Sequence, residues 1–338
     1  MIKVLKKNKK KVILHIGMNK AGSTSIQNFF HSNRDLWKEN GVLYPTTGIN
    51  GEAHYALSRA LGFYNGNQGG FYNSSEFRSL KKSLEKEIID SGCHIIVISS
   101  EDFVLNGPSK MIKKFFSGWD VKVLVYLRRH DSWWESSYAQ AVKMKRMPPW
   151  PRGVMGYVNF HKKSSVFHSD YKALVDKWSN IFGTSNILVQ PFEREQLSGG
   201  LIYNFLSKCG IDNHIIERYH GESNTNMKNV SISRLGINLL DVYQRLDIDE
   251  SIRERLIEYS LSLSKEDSVF SLIKPEIKRD IIRSNEDAYS YIAIKYLNRA
   301  NGVLFFSPLP VDEPDWSPSY CDPICASEHL IAALGLSR

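Results

Sequence analysis

The apolar run Val12 to Ile16 leads into Gly17-Met18-Asn19-Lys20-Ala21-Gly22-Ser23-Thr24-Ser25 and then into Ile26 to Asn33, whose apolar residues keep helical spacing. Strand, glycine loop and helix in that order make an anion site. Loop and first-turn N–H groups converge on one spot, and the helix dipole adds positive potential there. Lys20 adds a point charge, while Ser23 and Thr24 offer hydroxyl donors or cap the helix. Gly17 and Gly22 have the G-x-x-x-x-G spacing of a nucleotide triphosphate loop, which needs a lysine directly after the second glycine. Ser23 stands there instead, and Lys20 precedes Gly22. The chemistry indicated is capture of a phosphate-bearing ligand, with the cation on the wrong side of Gly22 for a triphosphate.

The order Lys20-Ala21-Gly22-Ser23-Thr24 resembles the 5′-phosphosulfate loop of the sulfotransferases that use 3′-phosphoadenosine 5′-phosphosulfate (PAPS), whose usual form is Lys-Thr/Ser-Gly-Thr/Ser-Thr/Ser. Ala21 departs from it: one hydroxyl is lost and the backbone N–H stays. That family reads the donor's 3′-phosphate with an Arg at a strand end and a Ser eight residues on, and here Val121 to Leu127 runs into such a segment. Arg128 with Ser136 has the spacing, and aligns Tyr138 and Gln140 with the Ser-x-Tyr-x-Gln of heparan-type Golgi members. Arg129 with Ser137 also fits, resembling the cytosolic branch. A bland alternative pairs Arg128 with Asp131 on the surface. Shorter stretches, among them His15-Ile-Gly-x-x-Lys, Gly41-Val-Leu-Tyr44-Pro45, Ser99-Ser100-Glu101 and Val189-Gln-Pro191-Phe192-Glu193, resemble bacterial sulfotransferase-like proteins of polysaccharide modification. Past Asn224 the resemblance thins; Lys228 to Ser233 either closes over the donor or starts a helix with Ser231 as N-cap.

The resemblance implies a PAPS-dependent enzyme that releases adenosine 3′,5′-bisphosphate and works without a metal. It implies a donor pocket of Gly17, Asn19, Lys20, Ala21, Gly22, Ser23 and Thr24, with Arg128 and Ser136 or Arg129 and Ser137, and with Lys228. Lys20 would neutralise the bridging oxygen as the S–O bond breaks. For the base, relatives use a His or Glu in the interval between the two half-motifs. Glu101 follows the strand Ile95 to Ile98 where open α/β sheets bind ligands. His54 competes, because a free imidazole titrates near ~6.5 and a free carboxylate near ~4.3. The implied acceptor is a glycan or glycolipid, with Tyr55, Phe63, Tyr64, Phe71, Tyr72, Trp133, Trp134 and Trp150 as rings for a sugar or as core packing.

Elements able to position these residues are legible. Short β-branched runs at Val12 to Ile16, Ile95 to Ile98, Val121 to Tyr126 and Ile187 to Val189 each precede a loop and an amphipathic segment. The class is α/β: three layers, a mainly parallel central sheet with flanking helices in a P-loop-like arrangement, and a helical C-terminal cap. A loop at Phe63 to Ser75 precedes a helix near Glu76 to Asp90, Met147 to Gly153 stops the helix after the third run, and the pattern is helical from Val230 to Arg299. The expected organisation is a basic tail at 1–11, a donor-binding core at 12–229 and the cap at 230–338.

A 338-residue chain with 44 Lys and Arg against 36 Asp and Glu carries a formal +8, which favours an anionic ligand. No run is long and apolar enough to span a membrane, and no signal-peptide pattern follows the basic start, so peripheral membrane contact through that tail is the most a bilayer is offered. Four cysteines make no disulfide framework, and Cys321 with Cys325 lacks the further ligands of a zinc site. Cytoplasmic residence and no nucleic-acid partner are expected. Two rivals stand: a P-loop kinase or hydrolase with Glu101 or Asp102 on Mg²⁺, and a non-enzymatic polyanion binder.

Overall fold

The computed structural model describes residues 9–63, 74–163, 169–220, 232–263, 271–313, 316 and 323–335. In chain order these carry β1 (Lys11–Ile16), α1 (Ser23–Ser32), α2 (Arg34–Glu39), β2 (Val42–Leu43), α3 (Tyr55–Ala60), α4 (Ser74–Ser91) and β3 (Ile95–Ser100). Next come α5 (Ser109–Phe115), β4 (Asp120–Leu127), α6 (His130–Met144), α7 (Val154–Lys163), α8 (Tyr171–Phe182), β5 (Ile187–Pro191), α9 (Gly200–Cys209) and α10 (Asn213–His220). Helices α11 (Arg234–Tyr243), α12 (Glu250–Ser262), α13 (Pro275–Arg283), α14 (Glu286–Leu297) and α15 (Pro323–Leu334) complete the series.

The five strands form one parallel sheet in the order β2-β3-β1-β4-β5. All six residues of β3 are buried, and all of β1 but its first, as strands covered on both faces require. Right-handed crossovers then assign the helices: β1 leads by α1 and α2 to β2 on one side, while β3 leads by α5, and β4 by α8, to strands on the other. Side chains agree with the two covers. On one face Gln27 of α1 donates to Ser99 Oγ at 3.1 Å and Tyr126 donates to Asn204 of α9 at 2.8 Å; on the other Ser58 of α3 meets Ser100 Oγ at 2.9 Å. The expected α/β, three-layer parallel architecture is present. Because the connections leaving neighbours β1 and β3 diverge to opposite faces, the crevice of the sheet lies at the C-terminal ends of those two strands.

The chain divides into two compact units, each discontinuous in sequence. Unit 1 is 1–128, 167–226 and 287–307; unit 2 is 129–166, 227–286 and 308–338. Helices α6 and α7 belong to unit 2, while 287–307, from the stretch expected to form the cap, belongs to unit 1. Local causes are visible. Gly153 N–H donates to Asp241 at 2.7 Å and Arg245 donates to the Trp150 carbonyl at 2.8 Å, fastening the Met147–Gly153 break to α11 within unit 2. In unit 1, Asp176 of α8 accepts from Tyr291, Lys295 and Tyr296 of α14 at 2.7–3.0 Å. The described part of unit 2 contains no strand. Ser233, not Ser231, caps α11, its side chain accepting from Gly236 N–H at 3.0 Å; Ser231 lies outside the described residues. Among the described residues no helix is long and apolar enough to cross a membrane.

Candidate active site

The loop after β1 is tied into the crevice by its own backbone. Gly17 N–H donates to the Ser100 carbonyl at 3.2 Å, and a side chain at Gly17 would come within 2.7 Å of Ser23 Oγ and 3.3 Å of Glu101 Cγ. Glycine there brings the ends of β1 and β3 together. Ala21 N–H and Ser23 Oγ both donate to the Met18 carbonyl, at 3.2 and 2.8 Å, closing the turn. Gly22 sits at φ 83°, in the left-handed region, and any Cβ there would collide with Leu201 and press on Phe192, so both the turn and the packing demand glycine. Lys20 also lies in that region, at φ 61°, a shape disfavoured for a residue with a Cβ.

Helix α1 begins at Ser23 with Gly22 as N-cap and no side-chain cap. Neither Ser23 nor Thr24 therefore caps it. Ser23 is buried with its hydroxyl proton committed to Met18, so its contribution to an anion is the backbone N–H; Thr24 is exposed at the helix start. Asn19 and Lys20 are half-buried, and Ala21 is buried.

Arg128, the last residue of the first segment of unit 1, follows β4 and reaches back to the loop. Its Nη1 donates to the Lys20 carbonyl at 3.1 Å, and its own carbonyl accepts from Tyr171 Oη at 2.6 Å. Arg128, one residue of the second half-motif, thus bonds to the backbone of the first. Arg129 is engaged otherwise. Its Nε and Nη2 grip both oxygens of buried Asp131 at 2.9 and 3.0 Å, and Nη1 donates to the Pro308 carbonyl at 2.9 Å, all within unit 2. The Asp131 pairing considered for Arg128 belongs to its neighbour. On α6 of unit 2, Ser136 is half-buried and Ser137 is buried with no partner for its Oγ among the described residues.

Glu101 is the carboxylate at the crevice. Burial pushes its pKa up to about 7, with Asp102 adding to the rise and Lys20 opposing it. Asp102 is held by Arg59 Nε at 3.2 Å and Ser58 Oγ at 3.3 Å. Its pKa is raised mainly by burial, against the pull of Arg59. Tyr55 is half-buried beside them; burial foremost, then the charges of Glu101 and Asp102, keep its hydroxyl protonated.

His54 is sealed away from the crevice surface, with both ring nitrogens engaged. It is fully buried, its Nδ1 accepts from Ser99 N–H at 3.1 Å, and Nε2 donates to the Pro45 carbonyl at 3.0 Å. Burial lowers its pKa to about 4, so it is a neutral strut between the Pro45 turn and β3. Among the aromatic candidates, Phe63, Trp133, Trp134 and Trp150 are buried in ring clusters and offer no face to a sugar. Tyr64, Phe71, Tyr72, Lys228 and Cys321 lie outside the described residues. Tyr171, Ser58 and Arg59 carry no sequence signal for a site: Tyr171 reads as the first apolar position of the α8 stripe, and each acts only through a neighbour brought in by the fold.

No family model matches the chain, and no solved structure matches it. An uncharacterized protein of Archaeoglobus fulgidus is 27% identical over 173 residues, which are 50% of this chain and 44% of that protein. The chain is thus similar to less than half the length of that relative.

Proposed function

We propose that the chain is a sulfotransferase, moving a sulfuryl group from PAPS to a hydroxyl, or an amine, of a glycan or glycolipid in the cytoplasm. One observation carries the reading: Lys20, Arg128 and Glu101 converge at the crevice where β1 and β3 diverge, with Arg128 hydrogen-bonded to the Lys20 carbonyl. Sulfuryl transfer, like phosphoryl transfer, is an in-line displacement through a loose transition state, with charge building on the leaving oxygen. Lys20 neutralises that charge, while N–H groups of the loop and first turn of α1 hold the 5′-phosphate. Arg128 pairs with the 3′-phosphate, in preference to Arg129, whose fork is spent on Asp131. Glu101 removes the acceptor proton as the new S–O bond forms and the donor S–O bond breaks. With a pKa of about 7 it is a base matched to neutral pH and still a substantial proton acceptor. Tyr55 borders the acceptor side of Glu101. Lysine supplies the charge that Mg²⁺ supplies in triphosphate chemistry.

Calorimetric titration tests the reading. Tight binding of adenosine 3′,5′-bisphosphate, unchanged by EDTA and much tighter than adenosine 5′-phosphate, supports it. Mg-dependent ATP binding points to a kinase with Asp102 or Glu101 as the metal carboxylate. Binding that falls steeply with salt and ignores the 3′-phosphate points to a polyanion binder.

A further inference from the structure

A non-glycine residue in the left-handed region persists only where its surroundings hold it, and Lys20 is such a residue at the centre of the site. Its neighbours fix the turn on one side, through the Ala21 and Ser23 bonds to the Met18 carbonyl. The Lys20 peptide itself is gripped from outside the loop by Arg128 Nη1. That grip is anchored in turn, because the Arg128 main chain continues β4 and its carbonyl takes the Tyr171 hydroxyl at 2.6 Å. A guanidinium is a rigid planar fork of five N–H donors, able to serve a carbonyl and an anion at once in fixed relative geometry.

We propose that Arg128 is a positioning residue for Lys20: it holds the lysine's strained backbone in the shape that aims the side chain, and so couples 3′-phosphate recognition to the rate of transfer. The second half rests on the sulfotransferase reading; the first does not. A ligand on the fork fixes the guanidinium, and with it the Lys20 carbonyl. Removing the 3′-phosphate therefore slows the bound complex as well as weakening binding, so adenosine 5′-phosphosulfate turns over more slowly than PAPS even at saturation.

The test uses the full chain, wild type and the variants Arg128→Ala and Arg128→Lys, each checked for fold by its melting transition. Adenosine 5′-phosphate, which has nothing for a 3′-phosphate reader to hold, is titrated against adenosine 3′,5′-bisphosphate, and turnover is measured at saturating PAPS. Arg128→Ala is expected to weaken adenosine 5′-phosphate about tenfold, through disorder of the loop alone. Arg128→Lys is expected to recover much of the bisphosphate affinity, since an ammonium still meets a phosphate, while kcat stays at least about tenfold down because one point charge cannot also hold the carbonyl. Adenosine 5′-phosphate affinity within about twofold of wild type in Arg128→Ala, or full kcat in Arg128→Lys, overturns the proposal. Should Arg128→Ala fail to fold, Arg128→Lys decides through both readouts. If wild type does not prefer the bisphosphate to adenosine 5′-phosphate, the sulfotransferase reading falls, and the loss of adenosine 5′-phosphate affinity in the variants still judges the grip on Lys20.

Discussion

The two edges of the sheet use the same residue types for opposite purposes. At the N-terminal edge the lysines are anchored to main-chain carbonyls: Lys10 donates to Cys93 at 2.6 Å, Lys11 to Cys209 at 2.9 Å and Lys122 to Ser185 at 3.3 Å. Their charges are used as stitches between loops. At the C-terminal edge Lys20 occupies a disfavoured backbone shape, and a neighbouring carboxylate is held far above its usual range. Stability is conceded there. The contrast teaches that net charge alone says little about where the proposed anion site lies; the edge at which chain direction diverges says more.

Substitution separates the edges most sharply in the lysines themselves. Lys20→Ala is expected to abolish transfer with the fold intact; Lys11→Ala is expected to keep turnover while losing about 1 kcal/mol of stability for one side-chain hydrogen bond. Parallel assays of turnover and urea denaturation check both, and near-normal turnover in Lys20→Ala would remove the contrast. Next in size, Glu101→Gln is expected to lose 10²- to 10⁴-fold in turnover, roughly the worth of a general base. Wild-type activity at saturating donor should rise along an acid limb centred at about 7, and that limb should be lost in the variant.

Arg128→Ala is expected to weaken adenosine 3′,5′-bisphosphate by about 2 to 3 kcal/mol more than it weakens adenosine 5′-phosphate, the scale of a charge-assisted contact, with Ser136→Ala costing less. Arg129→Ala, which breaks the clamp on Asp131 in unit 2, should show its main cost in melting temperature instead. The smallest effect has an unusual sign. The folded-state pKa of Glu101 lies above its unfolded value near ~4.3, so the group is neutral for free below both values and withdraws stability as pH rises to about 7. Glu101→Gln should therefore melt higher than wild type at pH 8 and no higher at pH 4.

Much of this frame can be read from residues. The β-branched runs of β1, β3, β4 and β5 and the Ser74–Ser91 helix follow from side-chain pattern, and the glycine loop from its spacing. Strand β2, two residues long, has no periodicity to detect, and α15 lies past the stretch read as helical. Adjacent Arg128 and Arg129 are equivalent in spacing; only the partner each meets distinguishes them. His54 shows the same limit. Its intrinsic proton affinity suits a base, but affinity follows burial, and burial is a property of the folded Pro45 turn.

The interleaving of the two units bears on synthesis. The last strand of the sheet ends at Pro191, yet Asp176 and Glu193 wait for Tyr291, Lys295, Tyr296, Phe306 and Ser307. A nascent chain can pair its strands early, but it cannot complete unit 1 until residue 307 has cleared the ribosome, by which time most of unit 2 has already emerged. Neither unit can be released by one cut, exchanged as a cassette or expressed as a single contiguous fragment. Long-range closure of this kind slows folding and prolongs exposure of parallel strand edges.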